Sequence, residues 1–419
     1  MAKYGYQELV NAIIRPPRAE YDVEHLGPEY FEWHGRCFRR VDLELTNPRG
    51  HRLVCSHWSP VEESSSTVTP RPCLIYMHGN ASARVEAIGQ LALCLSLGIT
   101  LFAFDFSGSG KSEGDYVSLG YWEREDLATV IAHLRASGTV SCVGLWGRSM
   151  GAVTGLLHSS HDPSIAAMVC DGAFADLTQL AEELVEKAKA NGLAVPGFVV
   201  SIAIRMIRSS VLKTANFKLE DVSPVKDVDS SFVPTLFVAG DQDDFVRPHH
   251  SRQIHDRYAG DKNLVIVEGD HNSPRPRFLF DSAAIFLQNY MHVPLSWVLP
   301  GADAFNSGVP PWVLGGTIGL NLADLGLDIN DMELHHGMTR QRQQQVQQTL
   351  ANVFGGTPNG ASSTAVVPVA PPDGSGHHLS RPPAESPSPQ DPPANRPPPP
   401  PPPPPGASSR PSPASATST

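Results

Sequence analysis

Short apolar runs alternate with segments of helical spacing through the middle of the chain. The apolar runs lie at residues 73–77, 100–106, 141–146, 166–170, 235–239 and 264–267. Apolar positions three or four apart follow the first three runs, over residues 84–97, 121–135 and 149–158. Buried strands that alternate with amphipathic helices are typical of βαβ units. The pattern therefore predicts an α/β fold with a mostly parallel central sheet and helices on both faces.

The alternation is preceded by a hairpin pattern. Residues 38–45 and 53–58 alternate apolar with polar side chains, and Thr46-Asn47-Pro48-Arg49-Gly50 between them is turn chemistry. We predict an antiparallel hairpin there. This places an N-terminal extension at residues 1–37 and a single globular domain at residues 38–292.

One insertion interrupts the domain, over residues 172–231. It contains two segments of helical spacing, at 177–190 and 198–212. Its position between two apolar runs predicts a small helical cap inserted into the sheet. Two further packing helices would give the same pattern.

The chain after residue 292 has a different composition. Residues 293–354 show only a weak pattern, and 21 of the 39 prolines follow Phe354. Such a segment buries too little apolar surface to order itself, so we predict a disordered Pro-rich tail over 355–419. The nine consecutive prolines Pro397 to Pro405 favour a polyproline II helix. That helix would fit an SH3, WW or profilin-like partner, or be a solvated extension without one.

Charge and cysteine usage exclude several function classes. Thirty-two basic and 43 acidic residues give a net charge of −11, which disfavours nucleic-acid binding. None of the six cysteines forms a CxxC pair, so we expect no metal and no cofactor. The chain starts without a signal peptide and has no apolar run near 20 residues, which predicts a cytoplasmic protein. Arg205 and Arg208 leave membrane-surface association open.

The strongest local motif is Gly147-Arg148-Ser149-Met150-Gly151. It fits GxSxG, with an apolar run before it and helical spacing after it, which is the context of a nucleophile elbow. Small residues must flank the serine because the turn is sharp. The motif predicts a nucleophilic Ser149.

A serine nucleophile needs a base, and the base needs an acid. His271 follows the last apolar run and is the predicted base. The acid is expected between serine and base in the chain, where Gly240-Asp241-Gln242-Asp243-Asp244 follows a strand. The third position after Gly240 selects Asp243, with Asp244 in reserve.

An acyl-transfer intermediate also needs donors for its oxyanion. The backbone N–H of Met150 is one predicted donor. The loop His78-Gly79-Asn80 follows an earlier strand, and the backbone N–H of Asn80 is the second.

The motif series resembles that of the α/β hydrolases, in their serine-aminopeptidase-like branch. The similar segments are His78-Gly79-Asn80-Ala81, residues 105–112, Gly147 to Gly151, Gly240 to Val246 and Gly269-Asp270-His271. The resemblance covers residues 38–292 and implies the α/β-hydrolase fold with a Ser149, Asp243, His271 triad. It implies a serine hydrolase acting on a small-molecule or acyl-protein substrate, and leaves the substrate open.

Three functions stay open at this point. The leading hypothesis is an ester or thioester hydrolase. An aminopeptidase would need an anionic site for the substrate amine, for which Glu182, Glu183 and Glu186 are available in the cap. An adaptor would use the Pro-rich tail to recruit partners.

Overall fold

The computed structural model describes residues 7, 10–61, 69–190, 197–299 and 309–314. Nine strands form one sheet in the order β1-β2-β3-β5-β4-β6-β7-β8-β9. The strands are β1 Tyr30–Trp33, β2 Arg36–Thr46, β3 Arg52–Pro60, β4 Arg71–Met77, β5 Thr100–Phe104, β6 Val140–Arg148, β7 Ala167–Asp171, β8 Thr235–Gly240 and β9 Lys262–Val267.

Seven longer helices accompany the sheet in the described part of the chain. They are α1 Ile88–Leu97, α2 Glu123–Ala136, α3 Met150–Ser159, α4 Leu177–Ala190, α5 Gly197–Ala215, α6 Pro248–Arg257 and α7 Arg277–Tyr290. Among the described residues, no helix has both the length and the apolarity that crossing a bilayer requires.

The sheet is antiparallel at one side and parallel elsewhere. Strands β1, β2 and β3 pair antiparallel, and β3 pairs antiparallel with β5. From β5 through β4 to β9 all pairs are parallel. Parallel strands end at the same edge, so the loops that leave β4, β6, β8 and β9 meet there. The predicted α/β-hydrolase fold, with a mostly parallel sheet, is confirmed.

Alternate residues of the strands enter two apolar layers. Ile75 and Met77 of β4 lie in one layer with α2, α3 and α6, while Leu74 and Tyr76 lie in the other with α1 and α7. The two layers cover both faces of the sheet, as a largely parallel sheet requires.

The insertion between β7 and β8 contains the two predicted cap helices, α4 and α5. The end of α5 is anchored, because Val211 is buried and Trp122 Nε1–H donates to the Ala215 carbonyl at 3.0 Å. Earlier along α5, the side chain of Ile202 is 56% exposed. Arg208, one of the two arginines considered for a membrane surface, pairs with Glu220 at 3.1 Å.

Ordered packing extends beyond both ends of the predicted domain. The sheet begins at Tyr30 rather than Phe38, and Val10 and Ile14 are buried in the core. After residue 292, Trp312 packs edge-on against Phe31 with ring centroids 5.4 Å apart. The predicted disordered tail over 355–419, with the Pro397 to Pro405 run, lies outside the described residues.

Candidate active site

A strained turn joins β6 to α3 and presents Ser149. The serine has φ 52° and ψ −113°, which a residue with a Cβ rarely adopts. A Cβ added to Gly151 would lie 2.1 Å from the Met77 carbonyl oxygen, and one added to Gly147 would lie 2.4 Å from the Gly151 backbone. Both flanking glycines are therefore required by close backbone approach.

Ser149, His271 and Asp243 form one hydrogen-bonded chain. His271 Nε2 lies 3.0 Å from Ser149 Oγ, and its Nδ1 lies 2.6 Å from Asp243 Oδ2. A carboxylate only accepts hydrogen bonds, so Nδ1 carries the proton and Nε2 offers its lone pair to the serine hydroxyl. The three residues are 8%, 3% and 2% exposed, in the order serine, histidine, aspartate.

The turn after β8 places the two candidate acids in different surroundings. Asp243 Oδ1 accepts the backbone N–H groups of Phe245 at 3.0 Å and Val246 at 2.8 Å, which aims Oδ2 at the histidine. The Asp244 side chain is 68% exposed and pairs with Lys187 at 2.5 Å. The structure thus brings Asp243 to His271 and leaves Asp244 on the surface.

Backbone hydrogen bonds hold the acid loop against the histidine loop. Gly240 pairs with Val267 at the ends of β8 and β9. Beyond them, Asp241 N–H donates to the Val267 carbonyl at 2.8 Å and Gln242 N–H to the Gly269 carbonyl at 3.1 Å. The separation of Asp243 and His271 is therefore fixed by the sheet.

The two predicted oxyanion donors lie just beyond the ends of two neighbouring strands. Met77 of β4 pairs with Gly147 of β6, and Asn80 and Met150 lie three residues beyond this pair. Met150 is the first residue of α3, so its N–H has no partner within the helix. Asn80 lies in a turn closed by Ser82 N–H donating to the Gly79 carbonyl at 3.2 Å.

His78 stabilises this turn through two hydrogen bonds. Its Nε2 accepts the Phe106 N–H at 3.1 Å, so Nδ1 carries the proton and donates to the Gly79 carbonyl at 2.7 Å. Burial lowers the pKa of His78, which keeps the ring neutral as this pair of hydrogen bonds requires. The side chain is structural and holds the loop that carries Asn80.

Two buried arginines at the site were missed by the sequence analysis. Arg275 donates to both oxygens of Asp171 at 2.9 Å and to the Asp270 carbonyl at 3.0 Å. The Asp171 carbonyl in turn accepts the Ser149 N–H at 2.7 Å. Arg275 thus links the histidine loop to the end of β7, the strand beside the nucleophile. Arg275 and Asp171 are 104 positions apart in the sequence, so no local pattern indicates their pairing.

Arg148 is the second of these arginines. Its guanidinium pairs with Glu86, and both side chains are buried. Burial alone would lower the pKa of Arg148, but the charge of Glu86 and its hydrogen bonds raise it, so the pair is ionised.

One cluster among the described residues has the composition of a metal site. Glu183 of α4 faces His249 Nε2 at 2.9 Å and His250 Nε2 at 3.3 Å. However, His250 Nδ1 accepts the Ala175 N–H at 3.3 Å, so its proton lies on Nε2, where a metal would need a lone pair. Glu183 and His249 therefore join the cap helix to α6 through a hydrogen bond, and this tautomer of His250 does not fit a metal ion.

The chain is similar in sequence to one protein family and to several known proteins. Residues 69–214 match the family model described as serine aminopeptidase, S33. YqkD of Bacillus subtilis, an uncharacterised protein, is 27% identical over 201 residues, which cover 47% of this chain and 64% of YqkD. The human mitochondrial palmitoyl-protein thioesterase ABHD10 is 27% identical over 214 residues, which cover 49% of this chain and 65% of ABHD10. The chain thus spans just under two thirds of either relative.

A solved structure shows the same fold. The Pyrococcus furiosus esterase Pf2001 superposes with a TM-score of 0.50 at 19% identity, over 67% of this chain and 98% of the esterase. The sheet and this likeness show the α/β-hydrolase fold. The matched family model and the curated relatives identify the chain as a member of the α/β-hydrolase superfamily.

Proposed function

We propose that the protein is a serine hydrolase that cleaves an acyl ester or thioester through an acyl-enzyme on Ser149. The observation that carries the proposal is the hydrogen-bonded chain from Asp243 through His271 to Ser149. Its distances of 2.6 and 3.0 Å suit proton transfer from the hydroxyl to the imidazole.

The reaction has two proton-balanced halves. Ser149 Oγ attacks the acyl carbon while His271 Nε2 takes the hydroxyl proton, and the N–H groups of Asn80 and Met150 stabilise the oxyanion. Collapse breaks the bond to the alcohol or thiol, which leaves with the proton from His271. Water then attacks the acyl-enzyme with His271 again as base, and release of the acid restores Ser149. Asp243 holds the tautomer and stabilises the imidazolium.

Two observations favour esters and thioesters over aminoacyl amides. The similarity to a palmitoyl-protein thioesterase supports a thioester substrate. An aminopeptidase would need a carboxylate directed at the substrate amine beside Ser149, whereas Glu183 faces His249 at 2.9 Å and His250 at 3.3 Å. Glu182 and Glu186 are exposed on the cap helix, with no described contact that directs either carboxylate toward Ser149. The adaptor hypothesis rests on the tail and stays a prediction.

Fluorophosphonate labelling of the purified chain tests the nucleophile. We expect the wild type to be labelled and Ser149→Ala to be unlabelled with an unchanged melting temperature. Ser159→Ala is the matched control, since Ser159 is buried on the same helix and bonds to Ser231 at 2.8 Å, away from His271. Labelling of Ser149→Ala, or a folded wild type that is never labelled, would overturn the proposal.

A substrate panel then tests the class of acyl bond. p-Nitrophenyl esters of several chain lengths, palmitoyl thioesters and aminoacyl coumarin amides are compared at equal concentration. We expect turnover of esters or thioesters to exceed that of the amides. Faster turnover of the amides would replace the ester hypothesis by the aminopeptidase.

A further inference from the structure

A buried ion pair includes Arg148, the residue that precedes the candidate nucleophile. Arg148 Nε contacts Glu86 Oε1 at 2.5 Å and Nη2 contacts Oε2 at 3.2 Å, so the guanidinium grips the carboxylate with two donors. The side chains are 9% and 5% exposed, in the order arginine, glutamate. Burial alone would raise the pKa of Glu86, but Arg148 holds it far below its usual range.

The Glu86–Arg148 pair contacts the two loops that the proposed reaction uses. Glu86 Oε2 accepts the N–H of Gly79 at 3.3 Å, and Gly79 precedes the oxyanion candidate Asn80. Arg148 Nη1 donates to Asn272 Oδ1 at 3.4 Å, and Asn272 follows His271. Arg148 itself precedes Ser149. One ion pair thus links the residues next to the nucleophile, the base and the oxyanion donor.

The packing around the pair is tight as well as polar. Tyr76 O–H donates to Glu86 Oε1 at 2.8 Å, which fixes the carboxylate to β4. A Cβ added to Gly79 would lie 2.8 Å from Arg148 Nη2, so the guanidinium packs closely against the oxyanion loop. A shift of the guanidinium would therefore move that loop relative to the serine.

Stability alone does not explain charges at this place. The elbow needs small residues at 147 and 151, and nothing in its backbone requires an arginine between Gly147 and Ser149. Removing two charges from water is costly, and apolar residues of equal volume are often as stable. A role in fixing geometry accounts for the arrangement.

We propose that the Glu86–Arg148 pair is a positioning device that sets the oxyanion loop and the histidine loop against Ser149. This inference rests on the proposed serine hydrolase function. In the proposed reaction neither side chain contacts the reacting atoms. The pair acts through its hydrogen bonds to Gly79 and Asn272. A misplaced donor or base weakens the transition state more than the bound substrate, so kcat falls while KM is nearly kept.

Substitution of the pair tests the proposal by steady-state kinetics. For Arg148→Met and for the double variant Glu86→Gln/Arg148→Met we expect kcat to fall about 10- to 100-fold, with KM within about threefold of wild type. A boronic acid that forms a tetrahedral adduct should bind more weakly by a similar factor. Arg148→Lys restores the charge without the two-pronged geometry and should recover only part of kcat.

The double variant guards against a folding artefact, because it leaves no unpaired buried charge. Arg135→Met is the control: Arg135 pairs with Asp162 at 2.9 Å near the opposite edge of the sheet, and its removal should leave kcat unchanged. A folded double variant with wild-type kcat would overturn the positioning role. A rise in KM as large as the fall in kcat would overturn it too. So would failure of both variants to fold, since the pair would then serve stability. An inactive wild type would instead refute the hydrolase proposal.

Discussion

The backbone contacts of Asp243 make the Asp243→Asn substitution a test of the His271 tautomer. One carboxylate oxygen accepts two backbone N–H groups, from Phe245 and Val246, and the other accepts the Nδ1 proton of His271. An asparagine has a single oxygen, and the two backbone donors will retain it. The amide NH2 then faces the histidine and donates to Nδ1, which moves the imidazole proton to Nε2.

A protonated Nε2 cannot accept the proton of Ser149. We expect kcat to fall about 10⁴-fold, the size known for the same change in serine proteases, which corresponds to about 5 kcal/mol of barrier. KM should change little because the substitution leaves the shape of the site intact. The melting temperature should also be close to wild type.

The assay is steady-state hydrolysis of the best ester of the panel, together with the rate of fluorophosphonate labelling. Asp244→Asn is the matched control, since Asp244 is exposed and pairs only with Lys187 among the ion pairs of the described residues. We expect it to change kcat by less than about threefold. An Asp243→Asn variant within tenfold of wild type would refute the tautomer argument, and a worse Asp244→Asn would move the acid by one residue.

Three further predictions concern stability and the cap. Burial lowers the pKa of His57 from 6.5 to about 4, so between these pH values the unfolded chain binds a proton that the folded chain does not. The free energy of unfolding of the wild type should therefore fall by up to about 3 kcal/mol relative to that of His57→Gln as the pH falls from 6.5 to 4. An equal pH dependence of the two unfolding free energies would contradict this. Gly151→Ala should lower the melting temperature by several degrees or prevent folding, whereas Gly89→Ala, with open space around it, should not. Glu183→Ala should speed hydrogen exchange over residues 177–190 more than the exposed Glu182→Ala does, and equal rates would argue against the docking role.

The sequence predicts much of the fold because each element carries its own signal. The helix expected at 177–190 is found at Leu177–Ala190, and the apolar run at 235–239 lies within Thr235–Gly240. Strand β1 was missed because it has only four residues. Its signal was present, since Phe31 and Trp33 point inward and His34-Gly35 forms the two-residue turn with both φ values positive.

The candidate site was predicted where local chemistry suffices and missed where it does not. Ser149 and His271 each follow a strand in a recognisable motif, and the structure brings both together with Asp243. The position after Gly240 selects Asp243 over Asp244, but the backbone donors that orient its carboxylate are visible only in the folded chain. The contact between Glu86 and Arg148 joins residues 62 positions apart, so only the folded chain reveals it.

The backbone of Ser149 has a consequence for how this chain can evolve. A side chain held at φ 52° and ψ −113° costs roughly 1–3 kcal/mol, and glycine adopts this conformation without that cost. An inactive Ser149→Gly chain should therefore be more stable than the wild type. A library selected for heat resistance alone would drift to glycine at this position, and one selected for turnover would keep serine. Under the proposed serine hydrolase function, folding and chemistry thus impose opposite preferences on position 149.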